Sequence, residues 1–406
     1  MNIALVNTVA QFGSTGKIVS ILKEGYEKRG HNVVCYYGSR GENDKRSGLV
    51  KITRQSESYL SALAYRLTGS QGVFLSRATK RLIRSLERQK PDVVHLMNIH
   101  GYYLDEFYLL RYLADKGIPV IYSMMDEYAY MGKCPFSYDC EKFKVECKAC
   151  PNKRTQYPVS WFFDRTQYYF HAKEKAYNAF SNITFVGTPW VIWRAKQSAL
   201  LKNRELAIIN EPIDLDTYFY PKDVTALRAE LAIPEENIVV LAIATLSSYN
   251  KGGVHFLHLF ERMKELKGYS FVYVGYDTDK YGRYDGLIKI PYVSSLEKLS
   301  EYCCLADVLV STTMSDTIPN AAINALGSGT PVCGFDCGGL SFIGINDEEV
   351  VKLTPIYDID TLENSVLKIH KKTPELVRKC RESVYDDYCP NTVVSQYIEL
   401  MNKIVK

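Results

Sequence analysis

The sequence predicts an α/β fold made of two doubly wound, Rossmann-like domains. Its 406 residues exceed the usual length of one domain, so two domains are expected. Short apolar runs rich in Val and Ile alternate with segments of helical periodicity, the order typical of parallel sheets covered on both faces. The alternation breaks between Asn203 and Pro221, where Asn210–Asp216 has no regular period. This break predicts the junction between the domains.

The first half opens with strand Ile3–Val6, a loop over Thr8–Gly16 rich in Gly, Ser and Thr, and a helix that Gly30 ends. The same order recurs to about residue 210. Further strands are predicted at Asn32–Tyr37, Asp92–Met97, Pro119–Ser123, Ile183–Val186 and Leu206–Ile209, and helices at Val73–Lys90, Leu104–Asp115, after Pro158 and after Pro189.

The second half shows the same alternation of strands and helices and ends in three helical segments. Two such domains predict a ligand site in the cleft between them, beyond the carboxyl ends of the strands. Strands are predicted at Asn237–Ala244, Ser270–Gly275, Leu287–Val293, Val308–Ser311 and Pro331–Phe335, and helices at Val254–Leu266, Leu296–Leu305, Asn320–Leu326, Asp360–Lys371, Pro374–Asp386 and Asn391–Val405.

Composition excludes several classes of protein. Hydrophobic residues make up 46% and charged residues 24%, which excludes a disordered or fibrous chain. No apolar run reaches the roughly 18–20 residues of a membrane span, and the N-terminus begins with a strand rather than a signal peptide, so we expect a cytoplasmic protein. The net charge of +4 hides an asymmetry, since residues 1–200 carry +12 and residues 201–406 carry −8. Two domains with different partners would explain it, although scatter of surface charge is the alternative.

Two loops are candidates for binding an anion at a helix N-terminus. In Gln11–Lys17, Gly13 and Gly16 permit close backbone approach, but the spacing matches neither a P-loop nor G-x-G-x-x-G, and a simple tight turn is equally compatible. In the second loop, Asp316 follows a strand, Pro319 suits a first helical turn, and a helix from Asn320 ends at Gly327.

The segment from Thr313 to Val332 resembles the donor-site signature of family-4 retaining glycosyltransferases with the GT-B fold. Asn250-Lys-Gly-Gly253 resembles the family's Lys-Gly element, and Asn210–Asp214 with Phe219 resembles its interdomain segment. The Asp336–Gly339 turn and the amino-terminal glycine loop fit the same family. The resemblance covers essentially the whole chain, and residues 91–103 with the cysteine segment resemble a bacterial capsule or exopolysaccharide subgroup.

The resemblance implies a UDP- or GDP-sugar donor and no catalytic metal, with Lys251 neutralising the nucleotide diphosphate. It implies an acceptor-side domain of residues 1–210 plus a terminal helix at 390–406, and a donor-binding domain of residues 211–389. The donor-site residues it implies are Lys251, Tyr292, Val293, Asp316, Thr317, Ile318, Pro319, Asn320 and Asn324, and the acceptor-side glycines are Gly13 and Gly16.

The chain departs from the family pattern at two places. Asn324 stands where the family has the second acid of a pair that Asp316 begins, so it can bond a ribose hydroxyl but brings no charge. Met125 precedes Asp126 where many members have His-Asp, and His100 could take over the missing contact with the sugar. We therefore expect His100, Asp126 and Asp316 as catalytic residues, while a structural role for His100 is the alternative.

Four cysteines cluster in a Lys-rich insertion at residues 132–153. Cys134, Cys140, Cys147 and Cys150 lie within 17 residues and include one C-x2-C. They could supply a structural, all-cysteine zinc site, or remain reduced or disulfide-linked thiols. Zinc here would not be catalytic, because all four ligand positions would be filled.

The helix predicted at Val73–Lys90 is basic and amphipathic. An ordinary helix with a solvated basic face is the simpler interpretation. Contact with the anionic inner face of a membrane, or with a lipid-diphosphate acceptor, is the alternative. No nucleic-acid motif accompanies the charge, so nucleic acid is not an expected partner.

The sequence thus predicts a retaining glycosyltransferase that moves a hexose from a nucleotide sugar to a glycan or lipid-linked glycan acceptor in capsule or exopolysaccharide synthesis. A nucleotide-sugar-binding protein that has lost turnover is one alternative. A sugar-nucleotide epimerase with the same fold is another, although it would need more carboxylates and histidines in the cleft.

Overall fold

The computed structural model of the chain describes residues 1–11, 13–40, 48–276, 284–343 and 347–405. Every strand pairing in it is parallel. The strands are β1 Asn2–Val9, β2 Asn32–Arg40, β3 Leu49–Lys51, β4 Val93–Leu96, β5 Val120–Ser123, β6 Ile183–Gly187, β7 Leu206–Ile208, β8 Ile238–Thr245, β9 Tyr269–Tyr276, β10 Leu287–Pro291, β11 Val308–Ser311, β12 Val332–Phe335 and β13 Val351–Thr354.

Helices connect these strands, as parallel pairing requires. They are α1 Gly13–Lys28, α2 Gln55–Thr68, α3 Ser76–Gln89, α4 Glu106–Asp115, α5 Thr166–Asn178, α6 Pro189–Ala195, α7 Thr225–Glu230, α8 Gly253–Met263, α9 Leu296–Leu305, α10 Asn320–Gly327, α11 Ile359–Val366, α12 Pro374–Tyr388 and α13 Pro390–Ile404.

The chain divides into two compact units. The first comprises residues 1–212 and 393–406, and the second comprises residues 213–392. Within the described residues, the first unit holds a seven-stranded sheet of order β3-β2-β1-β4-β5-β6-β7, and the second a six-stranded sheet of order β10-β9-β8-β11-β12-β13. The predicted class, two parallel-sheet α/β domains, is confirmed.

The first unit buries both faces of its sheet. Ala4 and Val6 of β1 belong to a core shared with α3 to α6, whereas Ile3 and Leu5 belong to a second core with α1. Because neighbouring residues of a strand point to opposite faces, one apolar run fills both cores. The second core is completed by the distant helix α13, through Val393, Val394, Tyr397 and Met401.

The second unit is layered in the same way. Val239 and Leu241 of β8 contribute to one core, and Val240 and Ala242 contribute to the other. The helices α9, α10 and α12 cover the first face, and α8 and α11 cover the second.

The predicted elements differ from the structure mainly in their bounds. The helices α2 and α7 and the strands β3 and β13 were not predicted. The predicted loop at residues 8–16 is shorter than expected, because β1 continues to Val9 and α1 begins at Gly13. Among the residues described, no helix has both the length and the apolar character needed to span a bilayer.

Candidate functional site

Strand order in each sheet points to one place where a ligand can bind. In the second unit the chain winds outward from β8 to β10 on one side and from β11 to β13 on the other. The reversal therefore lies between β8 and β11. In the first unit it lies between β1 and β4. Loops leave the sheet in opposite directions at such a point and open a crevice at the carboxyl ends of the strands.

In the second unit, the loops after β8 and β11 carry the predicted donor residues. The Lys251 ammonium donates a hydrogen bond to Oδ2 of Asp316. The Met314 N–H donates to the carbonyl of Asn250 over 2.8 Å, and the Thr312 hydroxyl donates to the carbonyl of Gly252 over 2.8 Å. The structure thus brings Lys251 and Asp316 together on two mutually bonded loops.

Two glycines permit this close packing of loops. Gly252 has φ +62°, and a Cβ there would lie 1.7 Å from the carbonyl oxygen of Thr312. Gly338, in the turn after β12, has φ +61°, and its Cβ would lie 2.1 Å from the carbonyl oxygen of Asp316. Only glycine fits either position without moving backbone. The Asp336–Gly339 turn therefore rests directly on the Asp316 loop.

The segment that leads into α10 offers mainly backbone groups. Thr317 and Ile318 are each 4% exposed, and Ile318 packs in the core, so their side chains are not displayed to a ligand. Pro319 was expected within the first helical turn but lies just before it, with ψ 89°, and α10 begins at Asn320. Asn324 is buried on the same helix. The helix dipole favours an anion at this end of α10.

An aromatic pair stands at the carboxyl ends of β9 and β10. The rings of Tyr276 and Tyr292 are stacked, with centroids 4.2 Å apart and an angle of 11° between planes. Both side chains are about half exposed, whereas Val293 is packed partly against the core. Tyr292 was predicted from the sequence, and Tyr276 was not. The parallel register of β9 and β10 brings them together, so the pairing of these strands is the signal that would have found Tyr276.

In the first unit, the end of β1 is tied to the loop after β4 by hydrogen bonds. The Thr8 hydroxyl lies 2.9 Å from the carbonyl oxygens of Asn98 and His100, and the Asn98 N–H donates to Oδ1 of Asn7. Gly16 lies inside the first turn of α1, where the Gln11 N–H donates to its carbonyl over 3.2 Å. Gly13 is the first residue of that helix, and the neighbouring Phe12 lies outside the described residues.

His100 and Asp126 form a hydrogen-bonded pair across β4 and β5. Their Nε2 and Oδ2 atoms are 2.7 Å apart, and the other Asp126 oxygen accepts the Tyr128 N–H over 2.9 Å. An ionised carboxylate can only accept, so the Nε2 atom that faces it carries a proton, and in the neutral tautomer of this kind Nδ1 is an acceptor. Nδ1 is buried and has no hydrogen-bond partner among the described residues.

A small recess surrounds His100. Aromatic and polar side chains line it, including Gln71, His100, Tyr102, Glu106, Tyr128 and Tyr157. The His100 ring contacts Tyr128 and Tyr157, with centroid distances of 4.6 and 6.1 Å.

Two buried charged groups support the wall of this recess. The Tyr128 hydroxyl donates to Oε1 of Glu106 over 2.6 Å. Nζ of Lys173 donates to the carbonyls of Tyr128 and Met131 and lies 3.3 Å from the centroid of the Tyr128 ring. Burial raises the pKa of Glu106 and lowers the pKa of Lys173 to about 8. Neither group was predicted, because nothing in the sequence marks a charged residue of a helix as buried.

The cysteine segment is folded onto α6 but does not form the predicted zinc site. Arg194 donates to Ser137 and Glu141 of the segment, over 2.8 and 2.7 Å. The four cysteines Cys134, Cys140, Cys147 and Cys150 are free thiols, and burial raises the pKa of Cys147 to about 11. Among the residues described, no group of three or more His, Cys, Asp or Glu side chains is arranged to hold a metal ion. The geometry therefore gives the zinc prediction no support.

The helix α3 corresponds to the basic amphipathic helix predicted at Val73–Lys90. Its apolar residues Ala78, Leu82 and Leu86 are buried in the first unit. The simpler interpretation, a sheet-covering helix with a solvated basic face, describes this helix.

The fold defines a class of protein, and comparisons with known proteins agree with it. A sucrose-phosphate synthase from Thermosynechococcus elongatus superposes with a TM-score of 0.72, at 16% identity, over 99% of this chain and 98% of that one. The Anabaena protein Alr3699/HepE, solved in complex with UDP, superposes with a TM-score of 0.67, at 13% identity, over 99% of this chain and all of that one. The class is the GT-B fold of glycosyltransferases.

Sequence comparisons narrow the class. Residues 237–372 match the family model of the glycosyl transferases group 1. The chain is also 22% identical over 359 residues to a putative colanic acid biosynthesis glycosyl transferase, WcaC, of Escherichia coli K12, covering 82% of each chain. The chain is therefore similar to glycosyltransferases over most of its length, and the match to the group 1 model lies within its second unit.

Proposed function

We propose that the chain is a retaining hexosyltransferase that uses a UDP- or GDP-sugar and a glycan or lipid-diphosphate-linked glycan acceptor in capsule or exopolysaccharide synthesis. The observation that carries the proposal is the Lys251–Asp316 pair, because it lies at the strand reversal of the unit that matches group 1. The UDP bound to the Anabaena protein supports a nucleotide-sugar donor. The similarity to a putative colanic acid biosynthesis enzyme of Escherichia coli supports a role in polysaccharide synthesis.

In this proposal the second unit binds the donor. Lys251 and the N–H groups at the start of α10 hold the diphosphate and stabilise the charge that grows on it as the glycosidic bond breaks. Backbone near Tyr292 and Val293 contacts the base, and Asn324 contacts the ribose. Asp316 stabilises the positive charge that develops on the sugar. Before the donor binds, Lys251 already has a carboxylate partner, so the diphosphate must compete with Asp316.

The first unit binds the acceptor near His100, with Gly13 and Gly16 on the same side. Nδ1 of His100 accepts a hydrogen bond from a sugar hydroxyl, and Asp126 is a positioning residue that fixes the ring and its tautomer. The acceptor oxygen forms the new bond to the anomeric carbon on the face that the diphosphate leaves. The hydroxyl proton passes to the departing phosphate, so no covalent enzyme intermediate is formed.

The test is nucleotide binding by calorimetry, followed by transfer assays with the nucleotide sugar that binds. Lys251→Ala should weaken nucleotide diphosphate binding by more than about tenfold, because a charge-assisted contact contributes about 1.5–3 kcal/mol. The matched control is Lys264→Ala, which breaks the exposed Lys264–Glu261 pair of the same unit and should leave binding unchanged. Equal affinities for both variants would contradict the placement of the diphosphate.

A second candidate is a nucleotide-sugar-binding protein without turnover. Asn324 favours it, since this buried side chain brings no charge where the family has an acid. Binding without hydrolysis or transfer would support this candidate over the enzyme. The proposed function includes no zinc.

A further inference from the structure

The outward face of α2 is apolar, the reverse of what a sheet-covering helix requires. Tyr59, Leu60, Leu63 and Leu67 recur at helical spacing and are 63%, 53%, 46% and 41% exposed. The residues that α2 buries are Ser61 and Tyr65. A stripe of large exposed side chains on one helix face indicates a surface that something else covers.

Three consecutive aromatic residues extend this stripe. Trp161, Phe162 and Phe163 are 43%, 61% and 57% exposed. The Trp161 N–H donates to the carbonyl of Arg66 in α2 over 2.7 Å, which fixes the aromatic turn against the end of the helix. The Ser160 hydroxyl donates to the carbonyl of Phe163 over 2.7 Å, so the turn is also held internally. We call these seven side chains on α2 and the turn the α2 surface.

The charges around the α2 surface are mostly positive. Residues 54–68 and 153–165 together carry five basic and two acidic side chains. Of the acids, Glu57 is paired with Arg81, and Asp164 accepts the N–H groups of Cys150 and Thr166. Among the bases, Arg154 and Arg165 donate to the carbonyls of Trp161 and Thr68, which keeps them beside the surface.

We propose that the α2 surface docks on an anionic lipid bilayer. Exposed Leu, Phe and Trp side chains enter the interfacial region, and the surrounding cations bind anionic headgroups. A second copy of the chain is a poorer occupant, because a two-fold interface would bring the cations of one surface against those of the other.

The α2 surface is connected to the recess around His100. Tyr65 of α2 contacts Tyr102 with ring centroids 5.8 Å apart, and Tyr102 contacts Tyr157 at 6.0 Å. Tyr102 and Tyr157 both line the recess. Resting on the proposed function, this arrangement lets the glycan of a lipid-linked acceptor reach His100 while its lipid stays in the bilayer.

The experiment is co-sedimentation of the full chain with vesicles of phosphatidylcholine alone or mixed with phosphatidylglycerol. The wild type should bind the anionic vesicles, less at high salt. The variant W161S/F162S/F163S should bind about tenfold less, since three interfacial side chains are lost. R66E should lower binding to the vesicles that contain phosphatidylglycerol and leave binding to pure phosphatidylcholine vesicles unchanged. The control L266S/L367S removes two exposed apolar side chains of the second unit, which are 42% and 41% exposed, and should bind as the wild type does.

Nucleotide binding and thermal unfolding of each variant separate this proposal from the proposed function. The triple variant should keep both the wild-type nucleotide affinity and the wild-type thermal unfolding temperature, so a loss of vesicle binding is due neither to the donor site nor to unfolding. Undiminished vesicle binding by the triple variant would overturn the docking proposal. The docking proposal would also be overturned if the wild type self-associated and the triple variant did not, because a second copy of the chain would then cover the α2 surface. Failure of nucleotide binding in the wild type would overturn the donor assignment but leave the docking result standing.

Discussion

At the scale of single residues, the proposed donor site places a group that would attract the donor, Lys251, beside one that would compete for Lys251, Asp316. The carboxylate is half-buried and lies at the N-terminal side of α10. It therefore reduces the positive potential that a diphosphate meets. The arrangement is compatible with catalysis only if Asp316 contributes more to the transition state than it costs in the ground state.

Asp316→Asn should separate these two effects. Removing the charge should leave nucleotide affinity unchanged or tighten it severalfold, because Lys251 loses its competitor. Transfer should fall by a factor of at least ~100, because the developing charge on the sugar loses its stabilising group. Calorimetry and a transfer assay measure the two quantities separately. Weaker nucleotide binding in this variant would indicate that Asp316 positions Lys251 rather than competing with the ligand.

Sequence motifs identified the site residues that are marked by the residues next to them in the chain. Lys251 stands beside two glycines, and Asp316 follows a strand and precedes Pro-Asn, so both could be singled out. Their pairing could not be, since it depends on the spacing of two parallel strands. Glu106 and Tyr157 gave no signal, because they acquire a role only when distant segments close around His100.

At the scale of elements, glycine geometry links the three loops of the donor region. Gly252→Ala should destabilise the chain by more than about 2 kcal/mol and weaken nucleotide binding. The added Cβ would be strained at positive φ and would collide with the Thr312 carbonyl. Gly268→Ala is the matched control, with φ +87° and nothing within 4 Å of its Cβ. That variant should lose only about 1 kcal/mol and keep its affinity. Denaturant unfolding and calorimetry check both, and equal losses would contradict the argument from close approach.

The contact between the cysteine segment and α5 should depend on pH. Nε2 of His171 and Oε1 of Glu146 are 2.7 Å apart. Hydrogen bonds with Glu174 and Glu146 raise the pKa of His171 above its ordinary 6.5, so its contribution is fully present below pH 6.5 and is lost as pH rises through the raised pKa. Hydrogen bonds from Lys148, Gln167 and His171 lower the pKa of Glu146 from 4.5 to about 2, so its contribution is present above pH 4.5 and is lost as pH falls towards 2.

The contact is therefore expected to be strongest between about pH 4.5 and 6.5. Amide exchange around residue 146, corrected for intrinsic rates, should be slowest in that window and faster at pH 8. His171→Gln retains hydrogen-bonding groups but does not titrate, so its profile should lack the change above pH 6.5. The same change in this variant would show that another group is responsible.

At the scale of the whole molecule, the class of fold was predictable from the sequence. The helices and edge strands that complete each sheet were predictable only in part. Repeated alternation of strand and helix predicted two parallel sheets, because buried parallel strands are continuous apolar runs. Periodicity did not reveal α2, whose apolar stripe faces outward, or the short edge strands β3 and β13. It also could not say which sheet α13 covers; that expectation came from the family resemblance.

The terminal helix should stabilise the first unit although the whole second unit, residues 213–392, separates them in the chain. Tyr397 is buried against His95 and its hydroxyl lies 2.8 Å from that of Ser123. Tyr397→Ala should lower the free energy of unfolding by about 3–5 kcal/mol, as for other large core truncations. Gln396→Ala, on the exposed side of the same helix, is the control and should change it by less than about 0.5 kcal/mol. A small loss for both variants in denaturant unfolding would mean that the helix is not part of the core.

The order of these segments has a consequence for synthesis on the ribosome. Domains tend to fold as units while the chain is being made, those nearest the N-terminus first. Here the first unit lacks one wall of its core until residues 393–401 have emerged. The second unit is complete in the nascent chain before that point, so the order of completion is reversed. If the second unit binds nucleotide as proposed, a chain that ends before residue 393 should bind it while its amino-terminal half remains exposed to proteases.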